Sequence, residues 1–141
     1  MTKPLIYCVP PELCADVIAR CERLIERGLT VAPEVDRDDL MERLRDRTAL
    51  MWIVLRDMSP LAIAFTERVD DEDAVAVFGL AGRQVWQWAK PFAETITDYA
   101  KKEGVSRVLF AGKEGWQRLV PGSQFVGMDR GQRIFERRTL Q

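Results

Sequence analysis

Few side chains in this sequence are equipped for chemistry, and their spacing narrows them further. There is no histidine, so the side chain that ordinarily changes charge near neutral pH is missing. The cysteines, Cys8, Cys14 and Cys21, all fall near the N-terminus without a C-x-x-C pair. Cys14 and Cys21 share a helix face at their spacing, which suits small buried apolar side chains in a reducing compartment better than metal ligands. All three are expected in the core, and no metal site is expected. Residues 107–141 carry seven Lys/Arg against three Asp/Glu, a balance of +4 in a chain whose total is −1. Such a tail can meet a polyanion or a phosphorylated cofactor, or simply be a solvated strand pair with scattered arginines. The overall charge gives no reason to expect nucleic acid or an anionic membrane. No interleaving of aromatic and basic residues supports nucleic-acid binding either.

The elements that must position these residues can be read along the chain. A length of 141 residues with 47% apolar and 30% charged side chains fits one folded domain spanning 1–141. The apolar runs are too short for a membrane span. The N-terminal MTKPLIYCVPPELC does not read as a signal peptide, so cytoplasmic residence is expected. Leu5–Val9 reads as a strand stopped by Pro10 and Pro11. A helix follows in which Leu13, Cys14, Val17, Ile18, Cys21, Leu24 and Ile25 keep helical spacing, with Gly28 as C-cap. Asp36 opens a second helix, with Asp39 three residues on in a capping-like arrangement, and the helix ends near Thr48. Leu50–Leu55, Leu61–Val69 and Ala74–Phe78 read as three strands of an antiparallel meander joined by Asp57–Pro60 and Asp70–Asp73. Gly79 to Gln84 reads as a loop into the longest helix, which starts about a turn before Pro91 and ends at Gly104. Val105–Phe110 is the next strand, in parallel register with the one before the helix. Glu114–Val120 makes a short helix, and Gln124–Met128 pairs with Gln132–Arg138 as a hairpin.

The resulting order, β-α-α-β-β-β-α-β-α-β-β, describes an α/β (α+β) mixed sheet with helices on both faces. It resembles the GNAT (GCN5-related N-acetyltransferase) fold over nearly the whole chain. Residues 75–120 are similar to a narrower group. A strand ending in a Gly-rich turn, a Trp-bearing helix ending WA…EG, and then a strand with G-x-x-GW-x-R-L look like small phage-encoded GNAT-like proteins, among them the internal virion protein A of T7-like phages.

The resemblance implies where a cofactor would lie. GNAT enzymes hold the pyrophosphate of acetyl-CoA on backbone amides at the start of the helix after the fourth strand, with the motif Q/R-x-x-G-x-G/A. Small residues there let the backbone approach, and free N–H groups with the helix dipole favour anions. The corresponding residues are Gly79, Leu80, Ala81, Gly82, Arg83 and Gln84. Their glycines are spaced G-x-x-G, and Trp86 and Trp88 stand where the family has Gly or Ala. The segment therefore either cradles a phosphate with help from Arg83, or merely turns the chain while tryptophans plug the cleft. On the first placement, Gly82→Glu should abolish acetyl-CoA binding and barely affect folding.

The family's general base, a Glu on a central strand acting through water, maps to Glu67, with Asp73 behind it. Its general-acid Tyr has no counterpart, since the helix after the fifth strand offers Trp116, Gln117 and Arg118, and the only tyrosines are Tyr7 and Tyr99. Acyl transfer can proceed mainly by positioning, so this weakens catalysis without removing it. Trp52 reads as core. Trp86, Trp88 and Trp116 flank the implied cleft, where they can fill an abandoned pocket, stack on an adenine-like ring or anchor a protein. The expected function is a phage-type protein with a degenerate acetyl-CoA site and no cofactor. It would act as a virion- or assembly-associated module on a phage structural or host protein, in the host cytoplasm or the virion. The alternative is an active acetyl-CoA-dependent N-acetyltransferase with an atypical phosphate loop.

Overall fold

The computed structural model describes residues 3–24, 36–112, 116–129 and 131–139. In chain order the elements are β1 (Leu5–Val9), α1 (Pro11–Arg20), α2 (Arg37–Arg45), β2 (Ala49–Arg56), β3 (Ser59–Val69), β4 (Ala74–Gly82), α3 (Val85–Lys102), β5 (Arg107–Gly112), α4 (Trp116–Leu119), β6 (Ser123–Asp129) and β7 (Gln132–Arg138). A single 3₁₀ turn, Asp70–Glu72, joins β3 to β4. The order of elements is the one expected from sequence. The strands form one mixed sheet in the order β1-β2-β3-β4-β5-β7-β6, with β4 and β5 parallel. By their contacts, the residues fall into two compact units, Met1–Glu67 with Phe78–Val85 and Arg68–Val77 with Trp86–Gln141.

In the first unit, α1 begins at Pro11, where a missing N–H costs nothing, and Glu12 faces the positive end of the helix. Regular helix ends at Arg20, and the Cys21 N–H bonds back to the Val17 and Ile18 carbonyls. Ile25 and Gly28, expected to complete this helix, lie outside the described residues. At the start of α2 the Asp36 carboxylate accepts the Asp39 N–H at 2.7 Å, the cap that the Asp36/Asp39 spacing announces. Cys14, Ile18 and Cys21 join Leu40 and Leu44 of α2 in one buried cluster with Ala49, Met51, Ile63 and Phe65. In the sheet beside them the Trp52 indole donates to the Thr66 hydroxyl at 2.9 Å, with both groups buried. Either group left unpaired would cost about 1–3 kcal/mol.

One departure concerns β4, which continues past Phe78 to Gly82. A Cβ built on Gly82 would sit 2.5 Å from the Ala62 Cβ and 2.6 Å from the Leu61 carbonyl oxygen, so β4 extends this far because the residue lacks a side chain. A second departure concerns Cys8, which is exposed on β1 and not in the core. Strand alternation turns it to the face opposite the buried Val9.

In the second unit, Ala74–Val77 of β4 run parallel to Arg107–Phe110 of β5. β5 pairs antiparallel with β7, and β7 with β6. Phe110 stacks on Phe135 with ring centroids 5.6 Å apart, closed in by Val120. Helix α3 buries Trp88, Ala89, Phe92, Ile96, Thr97 and Ala100 along one stripe. It starts at Val85, earlier than the expected single turn before Pro91, because proline in the second turn removes only one helical hydrogen bond. The buried Glu136 carboxylate is held on one side by Arg107 at 2.9 Å and on the other by Arg138 at 3.3 Å.

Two outcomes follow from this packing. Gly82→Ala should destabilise the protein by about 1–3 kcal/mol in chemical denaturation, as overpacking against a backbone does. The expectation that Gly82→Glu would barely affect folding fails for the same reason, since any Cβ at this position meets Ala62. Among the thiols, only Cys8 should react with a disulfide reagent in the folded protein. Burial raises all three thiols, Cys14 up to about 11 with help from Cys8 and Glu12, so it is exposure that singles out Cys8. Cys14 therefore contributes stability that is complete below the ordinary thiol range and lost as pH rises from 9.0 through about 11. Equal labelling of all three thiols in the native protein would contradict the packing.

Candidate functional site

The segment expected to hold a phosphate is mostly strand. Gly79, Leu80, Ala81 and Gly82 belong to β4, with Gly79 and Ala81 buried, and only Arg83 and Gln84 connect it to α3. The Arg83 N–H donates to the Leu61 carbonyl at 3.0 Å, which prolongs the strand's edge contact by one residue. Gln84 then takes a left-handed conformation at φ +56, and helix begins at Val85. Gly79 to Gly82 thus supply strand amides, and helical amides begin only with the first turn of α3. That turn has no acidic side chain, whereas α1 has Glu12 and α2 has Asp38 and Asp39 behind the Asp36 cap. With Arg83 just before it and no acid in its first turn, this end of α3 carries the partial positive charge of a helix N-terminus.

The tryptophans separate. Trp86 is 69% exposed, while Trp88, two residues on, is 1% exposed and meets the edge of Phe92 at 5.8 Å. Trp52 is core, as its strand position implied. The Trp116 side chain lies outside the described residues. Helical geometry accounts for the contrast between the first two, because residues two apart point about 200° apart around a helix axis.

Glu67 stands near the end of β3, opposite Ala49, and its carboxylate accepts from the Arg43 guanidinium of α2. The same guanidinium lies 4.8 Å from the centre of the Phe78 ring, so Glu67 and Phe78 grip Arg43 from two sides. Asp73 occupies a left-handed turn position, and its carbonyl accepts from the Ser106 N–H at 3.1 Å and hydroxyl at 3.2 Å. Tyr7 is exposed on β1, and the Tyr99 hydroxyl reaches Glu103 at 3.4 Å. The basic tail is largely engaged within the fold. Arg107 and Arg138 hold Glu136, Arg137 donates to Thr97 at 3.1 Å, and Arg133 lies over Phe125. Among the described residues no group of three or more His, Cys, Asp or Glu can hold a metal. None of the described helices is long and apolar enough to cross a membrane.

One feature was not visible in the sequence. In the first unit a cavity of about 470 Å³ lies at the end of α1, where Arg20, Cys21, Arg23 and Leu24 meet Pro60 and Arg83. Only Arg20 and Arg23, three apart in a helical pattern, signal it locally.

No protein-family model matches the sequence, and neither does any curated protein. Solved structures match the fold. The N-acetylglutamate synthase of Neisseria gonorrhoeae, complexed with coenzyme A and N-acetyl-glutamate, aligns with a TM-score of 0.71 at 16% identity, covering 100% of this chain and 36% of that one. The PaiA N-acetyltransferase of Thermoplasma acidophilum, in complex with coenzyme A, aligns at 0.65 and 11% identity, over 96% of this chain and 99% of that one. A GNAT-family acetyltransferase of Staphylococcus aureus aligns at 0.64 and 13% identity, over 96% and 99%. The chain therefore has the GNAT acetyltransferase fold. Nothing among these structures points to a phage protein.

The contrast between the tryptophans gives a direct check. Trp88→Ala should cost about 3–5 kcal/mol of stability, as loss of a buried indole does. Trp86→Ala should stay within about 0.5 kcal/mol. Equal effects in urea melts would contradict the burial of one and the exposure of the other.

Proposed function

We propose that this protein binds an acyl-CoA, with acetyl-CoA as the reference ligand, and transfers the acyl group to an amine. The observation that carries this is the start of α3. In a fold whose solved neighbours include coenzyme A complexes, the helix after β4 begins without an acidic side chain and two residues after Arg83. Its first-turn amides and Arg83 would take the pyrophosphate, and the exposed Trp86 leaves that turn open to solvent.

The amine nitrogen would attack the thioester carbonyl, the C–S bond would break, and the CoA thiolate would leave while the amine loses a proton. Glu67 is the carboxylate assigned to that proton, acting through water, with Arg43 holding it in place. With no histidine in the chain, most of the rate gain would come from holding the two reactants together.

A second reading is favoured by the same exposed Trp86 together with Phe125, Val126 and Met128, which are exposed on the edge strand β6. These residues would let the chain act without catalysis as an interaction module, such as a phage virion or assembly component docking on a phage structural or host protein.

Calorimetric titration with acetyl-CoA and CoA separates the two. Micromolar binding is expected, weakened at least about tenfold by Trp86→Glu, which places a carboxylate in the first turn of α3, with the melting temperature unchanged or slightly raised. Glu67→Gln should leave that affinity unchanged and lower turnover once an acceptor is found. Absence of heat with millimolar ligand would reject the acyl-CoA function and favour the interaction module.

A further inference from the structure

The cavity at the end of α1 has its own chemistry. Its volume of about 470 Å³ lies within the range of small-molecule sites. Three of its lining residues are arginines, Arg20 at the end of α1, Arg23 three residues further on, and Arg83 just past β4. Glu22, the one carboxylate among the described lining residues, is engaged by Arg37 and so is drawn away from Arg20 and Arg23. Among the described residues no carboxylate pairs with Arg20 or Arg23. The remaining lining is apolar, with Cys21 buried and Leu24 and Pro60 half-buried. Burial raises the Cys21 thiol, so that side chain stays neutral. Arg20 in the last turn of α1 can be explained as a cation at a helix C-terminus. Arg83, whose backbone is fixed to Leu61 on the neighbouring strand, borders the same space.

We infer that this cavity binds a small organic anion, a carboxylate or a phosphate monoester on a short apolar chain, with Arg20 and Arg23 as its principal cationic partners. Guanidinium groups match both headgroups through paired N–H donors, and the apolar lining accepts the carbon chain. Binding of the anion is independent of the acyl-CoA function.

The test is calorimetric titration of the full chain at low salt with glutarate, with O-phosphoethanolamine and, as a cationic control, with putrescine. Binding of at least one of the two anions and not of putrescine is expected, and the stronger of the two identifies the headgroup. The double variant Arg20→Gln, Arg23→Gln should lose at least about tenfold in that affinity while keeping its melting temperature and its affinity for acetyl-CoA. No anion binding to the wild-type protein, or unchanged anion affinity in the variant, would overturn the site. A parallel loss of acetyl-CoA affinity would overturn it as a separate site and make it part of the cofactor's. Anion binding in a protein that does not take acetyl-CoA would leave the site standing and remove only the acyl-CoA function. Should the double variant misfold, the single Arg23→Gln, on the exposed side chain, carries the same comparison.

Discussion

The region of interest in this molecule depends on a close approach of two strands. At Gly82 there is no room for even one carbon beyond the backbone, because Ala62 and the Leu61 carbonyl occupy the space. That contact lets β4 run as far as Gly82, and the Arg83 N–H then closes on Leu61. Only Gln84 remains to turn the chain, and its left-handed backbone does so in one residue. The start of α3 is therefore set by strand packing and not by a flexible glycine loop. A glycine that looks like a phosphate-cradling residue is a packing residue, and the positive helix end begins three residues later.

A second constraint is the way charged groups are matched. Glu67 is tied to Arg43, and Arg43 also lies against Phe78, so this carboxylate is part of the packing of α2 on the sheet. Glu136 is buried with arginines on two sides. No buried side-chain nitrogen or oxygen among the described residues is without a hydrogen-bond partner. A buried carboxylate with one partner removed is costly, so Arg107 and Arg138 are committed to Glu136 even though the Arg138 side chain is largely exposed. The +4 balance of the tail is accordingly a poor guide to ligands, whereas Arg20 and Arg23, which have no carboxylate partner among the described residues, border a cavity.

Much of the architecture was legible from local chemistry. Apolar periodicity, Pro11, the Asp36 cap and the turn residues between strands led to the observed order of elements, and the strand–helix–strand step led to the parallel β4–β5 pair. Boundaries slipped where long-range packing decides them. β4 extends past Phe78 because of Ala62, a residue some twenty positions away, and α3 begins before the point that Pro91 suggested. The candidate site was legible in composition but not in geometry. Gly79 to Gln84 were identified correctly as the segment entering the helix, yet most of them are strand.

The sequence by itself determined which segments become helix or strand, because those choices rest on side-chain periodicity, caps and turn residues within a few positions of one another. It also determined that histidine chemistry is unavailable. Tertiary structure alone decided that Trp86 faces solvent while Trp88 is buried, that Cys8 is exposed while Cys14 and Cys21 are not, and that Glu67 meets Arg43. It also brought Arg83 to the same cavity as Arg20 and Arg23. These outcomes depend on which face of an element meets a neighbour and on pairs of residues far apart in the chain, and no local pattern encodes that information.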